Sequence, residues 1–211
     1  MGDNAVGKST LLKSIALGLC NESDAVALIK EMPGDFVRKS AEEGYIKISL
    51  RQDKPSKRPK KYTITTKITK QSEDAPEIVR QETSPAENFP WADIFVCGYG
   101  ASRSSQAYTS YEQYKVIDAV RSLFDPQAFL QNPEVILLRQ DPSVRSILEE
   151  KLQQILMLDT PDYQINYTKR GLELDGPWGR LPFQVLSDGY RSTTQWVLDF
   201  IGWLIHAERL Y

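Results

Sequence analysis

The chain has 211 residues, of which 41% are hydrophobic and 26% are charged, a balance typical of soluble globular proteins rather than disordered ones. Its net charge of −2 and pI of about 5.6 exclude a strong overall attraction to nucleic acid, although a local basic patch remains compatible with them. The two cysteines match no metal-ligand spacing, so we expect two buried thiols in a reducing cytosol. No secretory signal pattern and no bilayer-length apolar stretch is found, which predicts a cytoplasmic protein.

The chain opens on a glycine-rich segment, residues 2–10, which matches the pattern G-x-x-x-x-G-K-[ST] at every defined position. In such loops the backbone N–H groups surround phosphates, Lys8 reaches the β- and γ-phosphates, and the Ser9 hydroxyl holds Mg²⁺. Apolar residues recur at helical spacing from Lys8 to Leu19, so the required helix is predicted, and its N-terminal dipole favours an anion. The alternative is a glycine turn that caps an ordinary helix.

Beyond the first helix, the sequence predicts a second short helix at residues 23–31, which a proline–glycine pair ends. Residues 45–50 and 62–68 alternate at period two, which predicts the two half-exposed strands of a hairpin. Their connection, residues 51–61, is basic and interrupted by prolines. It is either a solvated hairpin tip or a contact with nucleic acid.

The rest of the sequence predicts both helices and strands. In chain order these are a flexible linker at 71–90, a buried strand of a parallel sheet at 93–97, a mostly helical stretch at 108–124, a helix at 142–158, a small hairpin at 164–174 and a final helix from Ser187. We find no internal repeat and no low-complexity tract among them.

The segment L-S-D-G-Y-R-S at residues 186–192 opens the predicted final helix. Ser187 is a favourable N-cap, and Gly189 allows close backbone approach. Taken alone, the segment is explained equally well as ordinary helix capping. Because it follows a phosphate loop, it resembles the signature motif of ABC-type ATPases, whose familiar form is L-S-G-G-Q. That resemblance implies that a helix N-terminus contacts the γ-phosphate of ATP held by another subunit.

Two further segments extend the resemblance. They are G-Y-G-A-S-R at residues 98–103, directly after the predicted strand, and the triplet Asn132-Pro133-Glu134 before an apolar run. Together the motifs resemble the bacterial AAA-family ATPases of the RecF/SMC/OLD-like group. The implied fold is an α/β P-loop NTPase of ABC/SMC-like type with an antiparallel β subdomain, incomplete at both ends. The implied activity is ATP binding and, in the full-length protein, ATP hydrolysis coupled to head dimerisation in a DNA-related or phage-defence process.

The resemblance also implies roles for individual residues. The contacts with ATP and Mg²⁺ would be Asn4, Gly7, Lys8, Ser9 and Thr10. The metal would bind Ser9, while Ser187 and Gly189 would contact the ATP of a partner copy, so a homodimer closed through the ATP site is expected. Arg103 or Gln106 would sense the γ-phosphate or the metal, although Arg103 is also explained as a surface or salt-bridged arginine. The expected partners are ATP, a second copy, and DNA or a nuclease, with no membrane.

Within this resemblance the chain is expected to be a fragment. A phosphate loop follows a buried strand, and only Met1 precedes Gly2. The acidic strand that should follow the signature helix, ending in Asp-Glu, is not found before Tyr211, and we expect His206 to be a packing residue. We therefore expect an incomplete hydrolytic site and either poor solubility or a rearranged core, with exposed sheet edges where the missing strands would pair.

Along this partial head we expect four segments. They are the phosphate loop and helices at 1–34, the β-hairpin region and linker at 35–92, the core strand and helical region at 93–185, and the signature motif and helix at 186–211. The first and the last of them carry the residues expected to bind nucleotide.

Two other classes of protein remain open. A GTPase would carry an N-K-x-D motif, which is absent, and a small kinase would carry an arginine-rich lid, for which residues 57–61 are a poor candidate. A binding module with a degenerate nucleotide site and no turnover would instead act on nucleic acid through the basic residues 51–61. In that case its affinity should fall steeply with salt.

Overall fold

The computed structural model describes residues 7–32, 34–52, 60–71, 75–101, 111–168 and 171–207. The chain divides into two compact units. Unit 1 comprises residues 1–101 and 115–128, and unit 2 comprises residues 102–114 and 129–211. In the described ranges, each unit contains one three-stranded antiparallel sheet flanked by helices.

Unit 1 is built from a pair of helices followed by a meander of strands. Its elements are α1 (Lys8–Leu19), α2 (Glu22–Glu31), β1 (Glu43–Arg51), β2 (Lys61–Thr69), β3 (Ile78–Ser84), a 3₁₀ turn at Trp91–Asp93, α3 (Val116–Val120) and a 3₁₀ turn at Arg121–Leu123. The strand order is β1-β2-β3, and Ile64 of β2 pairs with Ile48 on one side and with Thr83 on the other. Side chains along β1 alternate between the two faces of the sheet.

Helix α1 approaches this sheet closely at a glycine. A Cβ added to Gly18 would lie 2.5 Å from Ile48 Cδ1, so a larger residue would push the helix and the sheet apart. Leu17 and Cys20 beside it are fully buried, and burial raises the pKa of the Cys20 thiol to about 12. The C-terminal half of α1 is therefore anchored, whereas its first turn is exposed.

Polar side chains occupy the outer edge of β3. The Gln81 backbone N–H donates to Glu22 of α2 at 2.7 Å, and the Gln81 side-chain amide donates to the Cys20 carbonyl at 3.0 Å. Asn21 caps α2 by accepting a hydrogen bond from the Asp24 N–H at 3.0 Å. An edge strand satisfied in this way offers fewer free groups to a second chain.

Unit 2 combines three helices with a second meander of strands. Its elements are α4 (Pro133–Leu138), α5 (Pro142–Ile155), β4 (Gln164–Thr168), β5 (Gly171–Gly176), β6 (Gly179–Pro182), a 3₁₀ turn at Phe183–Val185 and α6 (Asp188–His206). The strand order is β4-β5-β6. Helix α5 covers the edge of β4, where Glu149 accepts a hydrogen bond from the Tyr167 N–H at 2.7 Å. No helix in the described part of the chain is both long and apolar enough to cross a membrane.

Most of the predicted elements are confirmed. The helices predicted at 8–19, 23–31 and 142–158 correspond to α1, α2 and α5, the strands at 45–50 and 62–68 to β1 and β2, the hairpin at 164–174 to β4 and β5, and the final helix to α6. The stretch at 108–124 is helical only from Val116 onward within its described part.

The prediction of a linker at residues 71–90 is wrong. This stretch contains β3, which pairs with β2 from Ile78 opposite Thr69 to Ser84 opposite Thr63. Only the first two residues of β3 are aliphatic, so its sequence lacks the apolar alternation of a half-buried strand. Its order comes from pairing with β2 and from Glu22, which are both distant in sequence.

The prediction of a buried parallel strand at residues 93–97 is also wrong. A 3₁₀ turn ends at Asp93, and the following residues belong to no strand. They run beside α3, where the Gly98 N–H donates to the Ala119 carbonyl at 3.1 Å. An apolar run becomes a strand only beside another strand that pairs with its backbone groups, and the described ranges contain none here.

The expectation of two buried thiols holds for one cysteine. Cys20 is fully buried, whereas Cys97 is partly exposed. The Cys97 thiol donates to the Tyr99 hydroxyl at 3.2 Å.

Glu77 is predicted to stabilise unit 1. The residue is 8% exposed, and its carboxylate accepts hydrogen bonds from the Phe36 N–H at 2.9 Å and the Val37 N–H at 2.7 Å. Glu77→Ala would leave both N–H groups without this acceptor, and we expect the free energy of unfolding to fall by about 3 kcal/mol. Glu82→Ala, at an exposed position of β3, should change it by less than about 0.5 kcal/mol. Urea denaturation followed by circular dichroism measures both, and equal losses would contradict the role of Glu77.

Candidate nucleotide-binding site

The N-terminus of α1 has the geometry of an anion-binding site. Gly7 precedes the helix in the left-handed conformation, with φ 83° and ψ 12°, and the Leu11 N–H closes the first turn onto the Gly7 carbonyl at 2.9 Å. No side chain caps the helix, and its first turn contains no acidic residue. The N–H groups that a helix leaves without an internal acceptor lie at this end, together with the positive end of the dipole.

The side chains in this first turn match those that the phosphate-loop pattern requires. Lys8, Ser9 and Thr10 are all exposed, so a cation and two hydroxyl groups surround the helix N-terminus. This combination fits a polyphosphate with a divalent cation, since the lysine neutralises phosphate oxygens and a serine hydroxyl is a hard ligand for Mg²⁺. Of the predicted contacts, Gly7, Lys8, Ser9 and Thr10 are thus brought together at one helix end.

A cavity of about 540 Å³ begins at this end of α1. Thr10 and Ser14 of α1 form one wall, and the other walls come from the loop at 36–41, from β1 and from β2. Its volume falls within the range of small-molecule sites. Glu77 shapes the cavity indirectly, because it holds the backbone of Phe36 and Val37.

The rim of this cavity carries a linked set of charges. Lys67 forms an ion pair with Glu43 at 2.5 Å and lies 5.4 Å from the centre of the Tyr45 ring. The Tyr45 hydroxyl donates to Glu43 at 2.7 Å. Hydrogen bonds from Lys67 and Tyr45 hold the pKa of Glu43 below its usual value. Sequence reasoning missed this rim, because its residues follow no motif and come from neighbouring strands.

The signature-like segment lies at the N-terminus of α6 in unit 2. Ser187 occupies the N-cap position, as predicted, but its side chain makes no capping hydrogen bond. Gly189 has open space in front of it, with Ser187 Oγ the nearest atom to an added Cβ at 4.0 Å. Asp188 and Arg191 form an ion pair one turn apart. The exposed N-terminus of this helix is therefore accessible at both residues that the resemblance assigns to a second nucleotide.

The segment at residues 98–101 owes its glycines to packing. A Cβ on Gly100 would lie 1.9 Å from the Ser122 carbonyl oxygen, and one on Gly98 would lie 2.6 Å from Leu123 Cδ1. Ser122 Oγ also accepts a hydrogen bond from the Gly100 N–H at 3.2 Å. These glycines let the chain pass against the 3₁₀ turn at Arg121–Leu123. Arg103 and Gln106, the predicted γ-phosphate or metal sensors, lie outside the described residues, as does Asn4.

The triplet at residues 132–134 also has a structural explanation. Asn132 caps α4 by accepting from the Glu134 N–H at 2.8 Å, and Pro133 occupies the first turn. Glu134 then accepts hydrogen bonds from the Leu172 N–H at 3.3 Å and the Gln184 side-chain amide at 2.7 Å. The triplet therefore ties α4 to β5 and to the turn before α6.

One protein similar to the chain is the Septu protein PtuA of Bacillus mycoides (strain KBAB4). The two are 27% identical over 207 residues, which cover 95% of this chain and 26% of that protein. The chain thus spans about a quarter of the length of its curated relative. No protein-family model matches the chain. Within the described residues, no cluster of three or more histidine, cysteine or acidic side chains could hold a metal ion.

The left-handed conformation of Gly7 gives a direct test of this geometry. Among the described residues, a Cβ at Gly7 would meet no atom within 4 Å, so Gly7→Ala should cost its backbone strain, about 1 kcal/mol in the free energy of unfolding. Gly189→Ala, inside the first turn of α6 and facing open space, should leave the stability unchanged or raise it slightly. Thermal unfolding of the two variants measures the contrast. An equally stable Gly7→Ala protein would contradict the left-handed N-cap.

Proposed function

We propose that the chain binds ATP with Mg²⁺ at the N-terminus of α1. The observation that carries the proposal is the left-handed Gly7 before an uncapped, exposed helix whose first turn consists of Lys8, Ser9 and Thr10. The adjoining cavity of about 540 Å³ supports it, since it offers room for a nucleoside beside the phosphates.

Lys8 and Ser9 of the first turn have distinct roles in this proposal. Lys8 pairs with the β- and γ-phosphate oxygens, and the helix N–H groups bind the α- and β-phosphates. Ser9 would supply a hydroxyl ligand to Mg²⁺, and the remaining ligands would be phosphate oxygens and water. Bound Mg²⁺ would supply charge neutralisation between the phosphates.

We further propose that this chain is part of an ABC/SMC-like P-loop ATPase head of the α/β class. The similarity to Septu protein PtuA supports a role of this chain in a PtuA-like protein, and the motif resemblance favours a DNA-related or phage-defence process. In the longer protein, Ser187 and Gly189 would contact the ATP of a second copy, so that ATP binding joins two heads and hydrolysis separates them. A nuclease is the expected partner in such a process.

Replacement of the loop lysine tests ATP binding most simply. Lys8→Ala removes a charged donor to phosphate, whose loss is worth about 1.5–3 kcal/mol, so we expect Mg·ATP to bind at least ten times more weakly. Lys30→Ala is the matched control, because Lys30 is an exposed lysine on α2 of the same unit. Isothermal titration of both variants measures the difference. Equal affinities for ATP would refute the site.

A second candidate function is binding to nucleic acid at the end of the β1–β2 hairpin. The strand register places Arg51 directly opposite Lys61, and the Gln52 N–H donates to the Lys60 carbonyl at 3.0 Å. Arg51, Lys60 and Lys61 are all exposed, and no acidic side chain of the described residues forms an ion pair with them. Like charges directly opposed across a ladder are unfavourable, so this end of the hairpin favours an anionic partner such as a phosphate backbone.

The double variant Arg51→Ala, Lys61→Ala tests this second candidate. Binding to a short DNA duplex should weaken, and the slope of log affinity against log salt should become shallower by about 2, because two phosphate contacts are lost. The variant Lys67→Ala, which removes a cation already paired with Glu43, should change the slope less. Fluorescence anisotropy at several salt concentrations gives both slopes. The absence of any DNA binding by the unmodified chain would end this candidate.

A further inference from the structure

An apolar groove crosses the surface of unit 2 beside the N-terminus of α6. It consists of two adjoining cavities of about 280 Å³ each, which have Ser187 and Tyr190 as a common wall. The side chains that line one or the other cavity and are exposed to solvent include four large apolar ones: Ile155, Met157, Trp178 and Val185. Large apolar side chains exposed together in this way are typical of an interaction surface.

Trp178 is exposed, but its ring is fixed in orientation. The residue lies in the turn between β5 and β6 and is 55% exposed. Its ring meets the ring of Tyr163 edge-on, with the two ring centres 5.4 Å apart. It also covers the backbone of Gly176, where an added Cβ would lie 1.3 Å from the indole ring. Because two neighbours already restrain the indole, contact with its free face costs little side-chain entropy.

Met157 occupies a position where glycine would be less strained. It directly follows Leu156, the C-cap residue of α5, and adopts the left-handed conformation with φ 58°. Glycine and asparagine are the usual residues at this position after a helix, and a left-handed methionine costs stability. Met157 is 86% exposed, so its packing within unit 2 offsets little of that cost. Contact with a partner explains a flexible apolar side chain at this position.

The unpaired charges beside the groove are negative. Asp159 and Asp162 lie between α5 and β4, and each directly neighbours a residue that lines the groove. Both aspartates are exposed, and no lysine or arginine of the described ranges forms an ion pair with either. Two arginines also neighbour lining residues in sequence, but Arg180 and Arg191 are each already paired with an aspartate. The groove is therefore complementary to a partner that carries positive charge.

We propose that this groove binds a proline-rich segment of a partner protein, with arginine or lysine flanking the prolines. Such segments adopt the extended polyproline II helix, which is ordered before binding and docks into aromatic-lined grooves. The two cavities on either side of Tyr190 receive successive proline-containing turns, one of them stacked on Trp178. Asp159 and Asp162 pair with the flanking cations. This site goes beyond ATP binding at α1 and does not depend on it.

The probe for this site is a synthetic peptide of prolines and leucines with an arginine at each end, added to the ¹⁵N-labelled chain. The indole N–H signal of Trp178, identified by its loss in Trp178→Phe, should shift as the peptide is added. A peptide with alanine in place of proline should bind about tenfold more weakly, because it is not ordered before binding. A peptide with glutamate in place of arginine should also bind more weakly, because the aspartates repel it.

Substitutions in the groove test the same site from the side of the protein. Trp178→Ala should weaken peptide binding at least about tenfold. Ile147→Ala is the matched control, because Ile147 is an exposed apolar residue on α5 of the same unit, and it should leave binding unchanged. Asp159→Asn combined with Asp162→Asn should weaken binding about fivefold at low salt and less at high salt. Both aspartates are exposed, so this double variant should fold as the parent chain does.

Met157→Gly separates partner contact from a structural role. It should raise the midpoint of thermal unfolding by about 1–2 °C, because it relieves the left-handed conformation, and yet lower the affinity for the peptide about threefold. Lys8→Ala should bind the peptide as the parent chain does, which distinguishes this site from the proposed ATP site. The proposal is overturned if the millimolar peptide leaves the Trp178 indole signal unshifted, if the alanine peptide binds equally well, or if Trp178→Ala binds as the parent chain does.

Discussion

The contact between Gly18 of α1 and the β1 strand is the constraint on which unit 1 depends. Because Gly18 has no side chain, Ile46 and Ile48 approach the helix backbone, and Ala16, Leu17 and Cys20 are buried around that point. This contact fixes only the C-terminal half of α1. Its N-terminal turn is held in place as a rigid extension of the helix, and its residues are exposed beside the cavity.

Two of the described helices begin with a side-chain cap, and the others, among them α5 after Asp141, begin without one. Asn21 caps α2 and Asn132 caps α4 with side-chain hydrogen bonds. The two helices that follow motifs, α1 after Gly7 and α6 after Ser187, begin without a side-chain cap. An uncapped helix end leaves its N–H groups to solvent or to a ligand, which agrees with the proposed roles of both ends in nucleotide binding.

The local elements could be predicted from the sequence where they depend on local periodicity. The helices at Lys8–Leu19 and Pro142–Ile155 and the strands β1 and β2 follow directly from apolar spacing. Strand β3 could not be predicted in this way, because its order comes from pairing with β2 and from the hydrogen bond between Gln81 and Glu22 of α2. The apolar run at 93–97 led to the wrong prediction of a buried strand, because apolar content alone does not supply a partner strand.

Of the candidate site, the helix end could be predicted, but its surroundings could not. The spacing of Gly7, Lys8 and Ser9 implies their convergence, because a tight turn and the helix that follows it are local structures. The cavity beside them is formed by the loop at 36–41 and by two strands. No motif marks such clusters, because only the tertiary fold brings their members together.

The central claim is that a nucleotide phosphate binds at the N-terminus of α1. Amide chemical shifts of the ¹⁵N-labelled chain, recorded as Mg·ADP is added, test it most directly. We expect the backbone amides of Lys8, Ser9 and Thr10 to shift first and furthest, with those of Ser187 and Gly189 unmoved, since the latter are proposed to bind nucleotide only from a partner copy. Unmoved α1 amides at saturating nucleotide would contradict the claim.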